Sequence, residues 1–129
     1  MLNLSTNYLG LHLKNPIIAG SSGLTDSLNG IISLEQAGVA AVVLKSIFEE
    51  EIVAEMDVNL KKMASSQFLY PETLEYYEDS EEKNSCLKYL ELIRKAKSSV
   101  QIPIIASINC VTADYWTYFP RQIEQAGAD

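Results

Sequence analysis

Leu34-Glu35-Gln36-Ala37-Gly38-Val39-Ala40 runs straight into an apolar stretch, Val42-Val43-Leu44. The phrase returns as Ile123-Glu124-Gln125-Ala126-Gly127-Ala128-Asp129. In both places an apolar-periodic helix ends at a glycine, the residue that takes the left-handed conformation past a helix end without a Cβ penalty. Helix, glycine, then buried strand is the joint of a repeating βα architecture. The first copy goes on into a strand; the second reaches Asp129. The pattern predicts the first part of a larger α/β protein, cut at a helix C-terminus and limited in what it does alone.

Upstream of the first joint, residues Leu2 to Leu13 alternate loosely between apolar and polar around Leu9-Gly10-Leu11. That predicts a small N-terminal hairpin over residues 1–15. Pro16 biases Asn15 away from the helical region. Ile17-Ile18-Ala19 is too short and too β-branched for a helix and predicts a buried strand. Gly20-Ser21-Ser22-Gly23 follows as a tight polar loop, and Thr25 or Asp26 is placed to cap the next helix. Leu28, Ile31, Ile32 and Ala37 supply that helix's apolar face. A second strand is expected over Ala40 to Leu44.

Residues from about 47 to 83 form a long irregular βα connection. It is acidic first (Glu49, Glu50, Glu51, Glu55, Asp57) and aromatic later (Phe68, Tyr70, Tyr76, Tyr77). Insertions of that length in a βα connection are functional or disordered, and the aromatics argue that this one packs on something. Asn84 or Ser85 then caps a helix striped with Cys86, Tyr89, Leu90, Ile93 and Ala96. A third strand, Ile102 to Ala106, carries Pro103 near its start, where a ladder tolerates it. Thr112 opens a last helix in which Pro120 makes a kink or a fresh start. Residues 16–129 thus read as three βα units of a parallel sheet covered by helices, in one partial domain.

Composition bounds the function. The chain has 129 residues, 47% hydrophobic and 21% charged, which is ordinary for a globular protein. A net charge of −7 argues against a nucleic-acid surface and an anionic membrane surface. No apolar run approaches the roughly 20 residues of a membrane span, and no signal peptide is visible. Cys86 and Cys110 make no disulfide framework, so a cytoplasmic setting is expected. One histidine, His12, excludes a site needing two imidazoles in this chain. No spacing suits a metal.

Chemistry-bearing residues gather where the strands end. The first strand leads into Gly20, Ser21 and Ser22, the second into Lys45 and Ser46, the third into Ser107 and Asn109. In a parallel α/β sheet these positions share the carboxyl edge, where ligands bind. Each residue has a plain alternative. Gly20–Gly23 suits an ordinary turn, Lys45 could simply reach water, and Asn109 is a common turn residue. Their joint placement on one edge is better evidence than any one of them. The other candidates read as structural: His12 in the hairpin, Glu49–Glu51 as a solvated face, Cys110 as an inert thiol, and Trp116 with Tyr115 and Phe119 as helix-to-sheet packing.

Leu9-Gly10-Leu11 with Leu13-Lys14-Asn15-Pro16, then Ile17 to Gly23, resembles the opening of the dihydroorotate dehydrogenases and their relatives. Ala37-Gly38 leading into Val42-Val43-Leu44-Lys45-Ser46, and Ile102 through Asn109, continue the resemblance. It implies the N-terminal portion of an FMN-binding TIM (β/α)8 barrel: the hairpin, closing the barrel bottom, and the first three βα units. Such barrels typically take about 250 residues. By the resemblance Ala19, Gly20, Ser21 and Ser22 line the flavin and Lys45 and Ser46 contact it. Lys45 would lie near flavin N1, where a cation tunes the cofactor. Asn109 would hydrogen-bond the flavin or its surroundings. The family's Asn-Ser-x-Gly-Leu type motif has no counterpart; Ser66-Gln67-Phe68-Leu69-Tyr70-Pro71 occupies that region, which leaves open whether the substrate is dihydroorotate or a relative. The family's catalytic base and phosphate site come from later segments, so no catalytic residue is expected within this chain.

The expected activity is therefore an FMN-dependent oxidoreductase acting on CH–CH groups, in pyrimidine biosynthesis or a related route, with this segment inactive by itself. Two alternatives stand beside it. One is a barrel enzyme using Lys45 as an amine nucleophile, which needs a desolvated lysine. The other is a non-catalytic remnant that self-associates through its open strand edges.

Overall fold

In the computed structural model both copies of the Glu-Gln-Ala-Gly phrase close a helix in the same way. Gly38 and Gly127 sit at φ of 98° and 101°, a region costly for any residue with a Cβ. The Gly38 and Val39 amides donate to the Glu35 and Leu34 carbonyls at 2.9 and 3.3 Å. Gly127 and Ala128 repeat both bonds onto Glu124 and Ile123 at the same 2.9 and 3.3 Å. This is the paired closure of a Schellman motif.

The structure describes residues 2–54 and 85–129, with Asp114 and Tyr115 described by backbone alone. The expectations on Glu55, Asp57, residues 66–71, Phe68, Tyr70, Tyr76, Tyr77 and Asn84 lie outside the described residues. In chain order the elements are β1 (Thr6–Tyr8), β2 (Leu11–Leu13), β3 (Ile18–Ala19), α1 (Leu28–Gln36), β4 (Ala41–Val43) and β5 (Ile47–Phe48). Helix α2 (residues 49–54) follows, then α3 (Ser85–Ser99), β6 (Ile104–Ile105), β7 (Ile108–Asn109) and α4 (Ala113–Ala126).

Strands β3, β4 and β6 form a parallel sheet in that order, with Ile18 opposite Ala41 and Val42 opposite Ile104. The chain is thus a mixed α/β structure with parallel strands, as the repeated joint predicts. Pro103 lies just before β6, where it gives up no ladder donor and its carbonyl accepts from Val42 at 3.0 Å. Strands β1 and β2 pair antiparallel across Leu9 and Gly10, whose φ of 50° and 80° are both positive, as a two-residue primed turn requires.

The sheet is buried on its helix face, while Ile18, Val43 and Ile105 on the other are half-buried. Toward the helices, Val42, Leu44 and Ile104 pack with Ile31 of α1, Leu90, Ile93 and Ala96 of α3, and Ile123 and Ala126 of α4. Each fully buried aliphatic side chain there contributes ~1.5–3 kcal/mol. On the other face Leu13 of the hairpin is buried with Ala40 and Ala41, and Leu11, Ile18 and Ile105 pack against them. The hairpin therefore covers the end of the sheet where the strands begin. Ile17, expected within a buried strand Ile17-Ile18-Ala19, is instead 60% exposed just before β3, and its neighbour Ile18 packs against that face.

Several local expectations are corrected. The cap of α1 is Ser27, which accepts from Gly30 N at 3.3 Å; Thr25 is fully buried and ties the preceding loop. Pro120 sits inside one continuous α4. Trp116 is 51% exposed while Phe119 is buried, so Phe119 carries the packing. The start of the expected irregular loop is ordered as β5 and α2.

Glu49 departs furthest from the solvated face expected of it. Its side chain is buried, and Oε2 accepts the amides of Val111 and Thr112 while Oε1 accepts the Thr112 hydroxyl at 2.8 Å. A carboxylate from α2 thus caps the N-terminus of α4, where negative charge suits the helix dipole. Burial works to raise its pKa, but the bonds from Thr112 and Val111 outweigh burial and hold the carboxyl below its ordinary value. A depressed folded pKa contributes stability above the unfolded value of about 4.3 and loses it as pH falls through the folded value. Glu49→Gln should lower the thermal midpoint at pH 7, and the gap to wild type should close as pH falls below about 4. Thermal melts from pH 7 to pH 3 check this; a gap that holds constant with pH refutes it.

Candidate functional site

The ladder between β4 and β6 breaks where both strands turn polar. Val43 is opposite Ile105, and Ile47 is opposite Ile108. Three residues, Leu44, Lys45 and Ser46, therefore face two, Ala106 and Ser107. That is a bulge, a device that frees main-chain groups and re-aims side chains, often beside active sites. Beyond it β5 and β7 resume parallel pairing.

The freed groups find partners, as buried backbone must. The Ser46 amide donates to Ser21 Oγ at 3.0 Å. The Lys45 amide turns toward the Thr25 carbonyl at 3.5 Å. Both acceptors belong to the loop after β3. Across the break, the Ser107 amide donates to Tyr89 Oη at 2.9 Å, and the Tyr89 hydroxyl donates to the Ser107 carbonyl at 3.1 Å. Burial pushes the Tyr89 phenol up, against the lowering effect of its bond to Ser107. Thr25 closes the Gly20–Gly23 loop, its Oγ1 accepting from Ser22 N at 3.1 Å and donating to the Ser22 carbonyl at 3.0 Å.

The hydroxyls left at the surface form a row. Ser21 Oγ lies 3.3 Å from Ser46 Oγ, which lies 2.6 Å from Ser107 Oγ. One serine thus stands at the end of each of three consecutive parallel strands, and hydrogen bonds connect them. Ser21 and Ser46, singled out in the sequence, are brought together. Ala19 is half-buried at the end of β3, and Gly20, Ser22 and Lys45 are exposed beside the row. Asn109 is exposed on β7, opposite Phe48 and one ladder further out.

Behind the row lies a cavity of about 320 Å³ lined by Thr25, Lys45, Ser46, Lys88, Tyr89 and Leu92, among others. It brings two lysines and four hydroxyl-bearing residues, Thr25, Ser46, Ser85 and Tyr89, to one recess at the carboxyl edge. Asp26 and Glu51 at its margin keep its charge mixed.

Tyr89 is the site residue that sequence reasoning missed. It falls on the apolar stripe of α3, and only its hydroxyl distinguishes it from a core residue. Ser107 was noticed at a strand end but carried no role of its own. Cys110 is buried, and burial first, then the charges of Glu49 and Glu50, push its thiol pKa up, as suits an unreactive cysteine. His12 faces Asn7 across the hairpin, Nδ1 to Oδ1 at 3.1 Å.

Removing the Tyr89 hydroxyl leaves the Ser107 amide beside the bulge without its partner, while the Ser107 carbonyl keeps the Ile47 amide at 3.0 Å. Tyr89→Phe should destabilise the fold by ~1–3 kcal/mol, read as a lower urea midpoint at unchanged slope. Ser107 amide exchange should quicken at the same time. Unchanged exchange there would show that Tyr89 does not hold the break. No protein-family model matches this chain, and a search of curated proteins finds no match to it; in none of the described helices is there a stretch long and apolar enough to cross a membrane.

Proposed function

We propose that the serine row and Lys45 form one wall of an FMN site, in an oxidoreductase resembling the dihydroorotate dehydrogenases. In this reading the three parallel units and the hairpin are the first part of a (β/α)8 barrel. The observation that carries it is the hydrogen-bonded row Ser21–Ser46–Ser107 at the carboxyl edge, set beside Lys45 on a bulge. The hairpin supports it too, since Leu13 covers the opposite end of the sheet against Ala40 and Ala41.

The residues suit a planar ring bearing carbonyl oxygens. A Cβ built on Gly20 would meet nothing within 4 Å, so the backbone there is open to close approach. Three hydroxyls offer donors whose spacing their own hydrogen bonds fix, and a lysine adds positive charge. Bound there, FMN would supply the two-electron acceptor for a hydride from a substrate C–H. Ala19, Gly20, Ser21 and Ser22 would line it, Lys45 and Ser46 would contact it, and Asn109 would hydrogen-bond near it. None of these residues is proposed as the base that takes the substrate's proton. The amine-nucleophile alternative asks for a desolvated lysine; Lys45 is exposed, so no observation favours it.

An FMN titration followed by flavin fluorescence tests the reading. One wall of a site should bind weakly, with Kd of ~1 mM, worth about −4 kcal/mol. Lys45→Ala should weaken binding about tenfold, the loss of one charge-assisted contact. Absence of saturable quenching at millimolar flavin, or quenching indifferent to Lys45→Ala, would sink the assignment.

A further inference from the structure

The recess behind the serine row is built from four separate elements. Helix α3 lines it with Ser85, Lys88, Tyr89 and Leu92. Offsets of three, four and seven residues from Ser85 put these on one face of the helix. The loop after β3 brings Asp26, the break after β4 brings Lys45 and Ile47, and α2 brings Glu51. Four charged residues therefore share one cavity, two of each sign. All four are exposed. The ion pairs among the described residues, Lys95–Glu91 and Lys97–Asp129, lie elsewhere, so these four charges are not spent on one another. Apolar surface comes from Ile47, which is buried, and from Tyr89 and Leu92, which are half-buried.

Size and charge together narrow the occupant. The volume of about 320 Å³ lies near the lower end for ligand pockets, roughly 300–1,000 Å³, so the occupant is small. Two lysines against two carboxylates leave the recess close to neutral, and the chain's net charge of −7 opposes a free anion. An ion of either sign would also meet two charges of its own sign. A molecule that is neutral overall but carries both charges satisfies all four residues at once. An apolar part of it would displace water from Ile47, Tyr89 and Leu92.

We propose that this recess binds a small zwitterion with an apolar tail, the chemistry of an aliphatic α-amino acid. The carboxylate goes to Lys45 and Lys88, the ammonium to Asp26 and Glu51, and the tail to Ile47, Tyr89 and Leu92. The site shares Lys45 with the flavin wall but does not rest on a flavin.

The probe is L-leucine, titrated into the whole chain and followed by the NMR shifts of the Tyr89 ring and the Leu92 methyls. Exposed ion pairs are weak, so saturation is expected in the millimolar range. Isocaproate lacks the ammonium and isoamylamine lacks the carboxylate. Each should bind about tenfold more weakly, because each loses two pairs of about threefold apiece. Glycine keeps both charges and loses the tail, and should also bind at least tenfold more weakly. Lys88→Met should weaken leucine about threefold and leave isoamylamine unchanged. Asp26→Asn should weaken leucine about threefold and leave isocaproate unchanged. Both positions are exposed, so both variants should fold. Absence of a saturable shift overturns the proposal. So does isocaproate, isoamylamine or glycine binding as tightly as leucine, or leucine binding both variants as it binds the wild type.

Discussion

The structure hangs on β4, which is paired along both edges, covered fully on its helix face and at Ala41, and left half-buried at Val43. Ala41 and Val42 are wholly buried, and β4 bonds to β3 on one side and β6 on the other. A strand so enclosed must be apolar along its length, because no polar side chain there would find water. That constraint pushes every chemistry-bearing residue of this segment past the strand's end. Lys45 and Ser46 come directly after Leu44, at the first point where the enclosure stops. The bulge is the consequence: a polar residue pair leaves the ladder at the place where the ladder can yield.

What replaces the ladder there is side-chain chemistry. Ser21 takes the amide of Ser46, and Tyr89 takes the amide of Ser107 and shares its carbonyl with the Ile47 amide. Hydroxyls suit this task because each can donate and accept at once. Three loops and a helix are thereby locked to one another at the rim, and the serine row is held at hydrogen-bond spacing before any ligand arrives. Glu49 extends the scheme outward. Its carboxylate joins the start of α2 to the start of α4 through Val111 and Thr112. The cluster of Ile47, Ile52, Cys110 and Phe119 fills the space beneath.

The parallel sheet, its order and the joints at Gly38 and Gly127 were legible because each rests on local chemistry: a glycine at positive φ, a buried run, a proline at a strand start. The clustering of Ser21, Lys45 and Ser46 was legible because strand ends of a parallel sheet share one edge. The bulge was not. It depends on a one-residue difference between strands about sixty positions apart (Val43 opposite Ile105, Ile47 opposite Ile108), which no local pattern encodes. Tyr89 was hidden by its ring, which satisfies helical periodicity as any apolar residue would. Glu49 was hidden by its neighbours, since an acidic run looks solvated until a distant helix start claims one member. Ser27 capped α1 in place of Thr25 because Thr25 was needed to close the Gly20–Gly23 loop.

The two ends of the sheet divide the work. At the end where strands begin, Leu13, Ala40 and Ala41 close it with apolar contact, and Asn15 and Glu35 tie the chain there by bonds to the Gly38 carbonyl and from the Gln101 and Ile102 amides. At the other end, main-chain pairing gives way to hydroxyls, a lysine and a recess. Polar groups there are satisfied mainly by one another, so they can exchange partners with a ligand at little cost, since each lost bond is replaced by a new one. A site of that kind gains affinity chiefly from charge and shape. In the proposed flavin reading Lys45, with Lys88 in the same recess, would meet a ligand's negative charge, and Gly20 would let a flat ring come close. The serine row keeps the two in register by tying the loop after β3 to the bulge after β4.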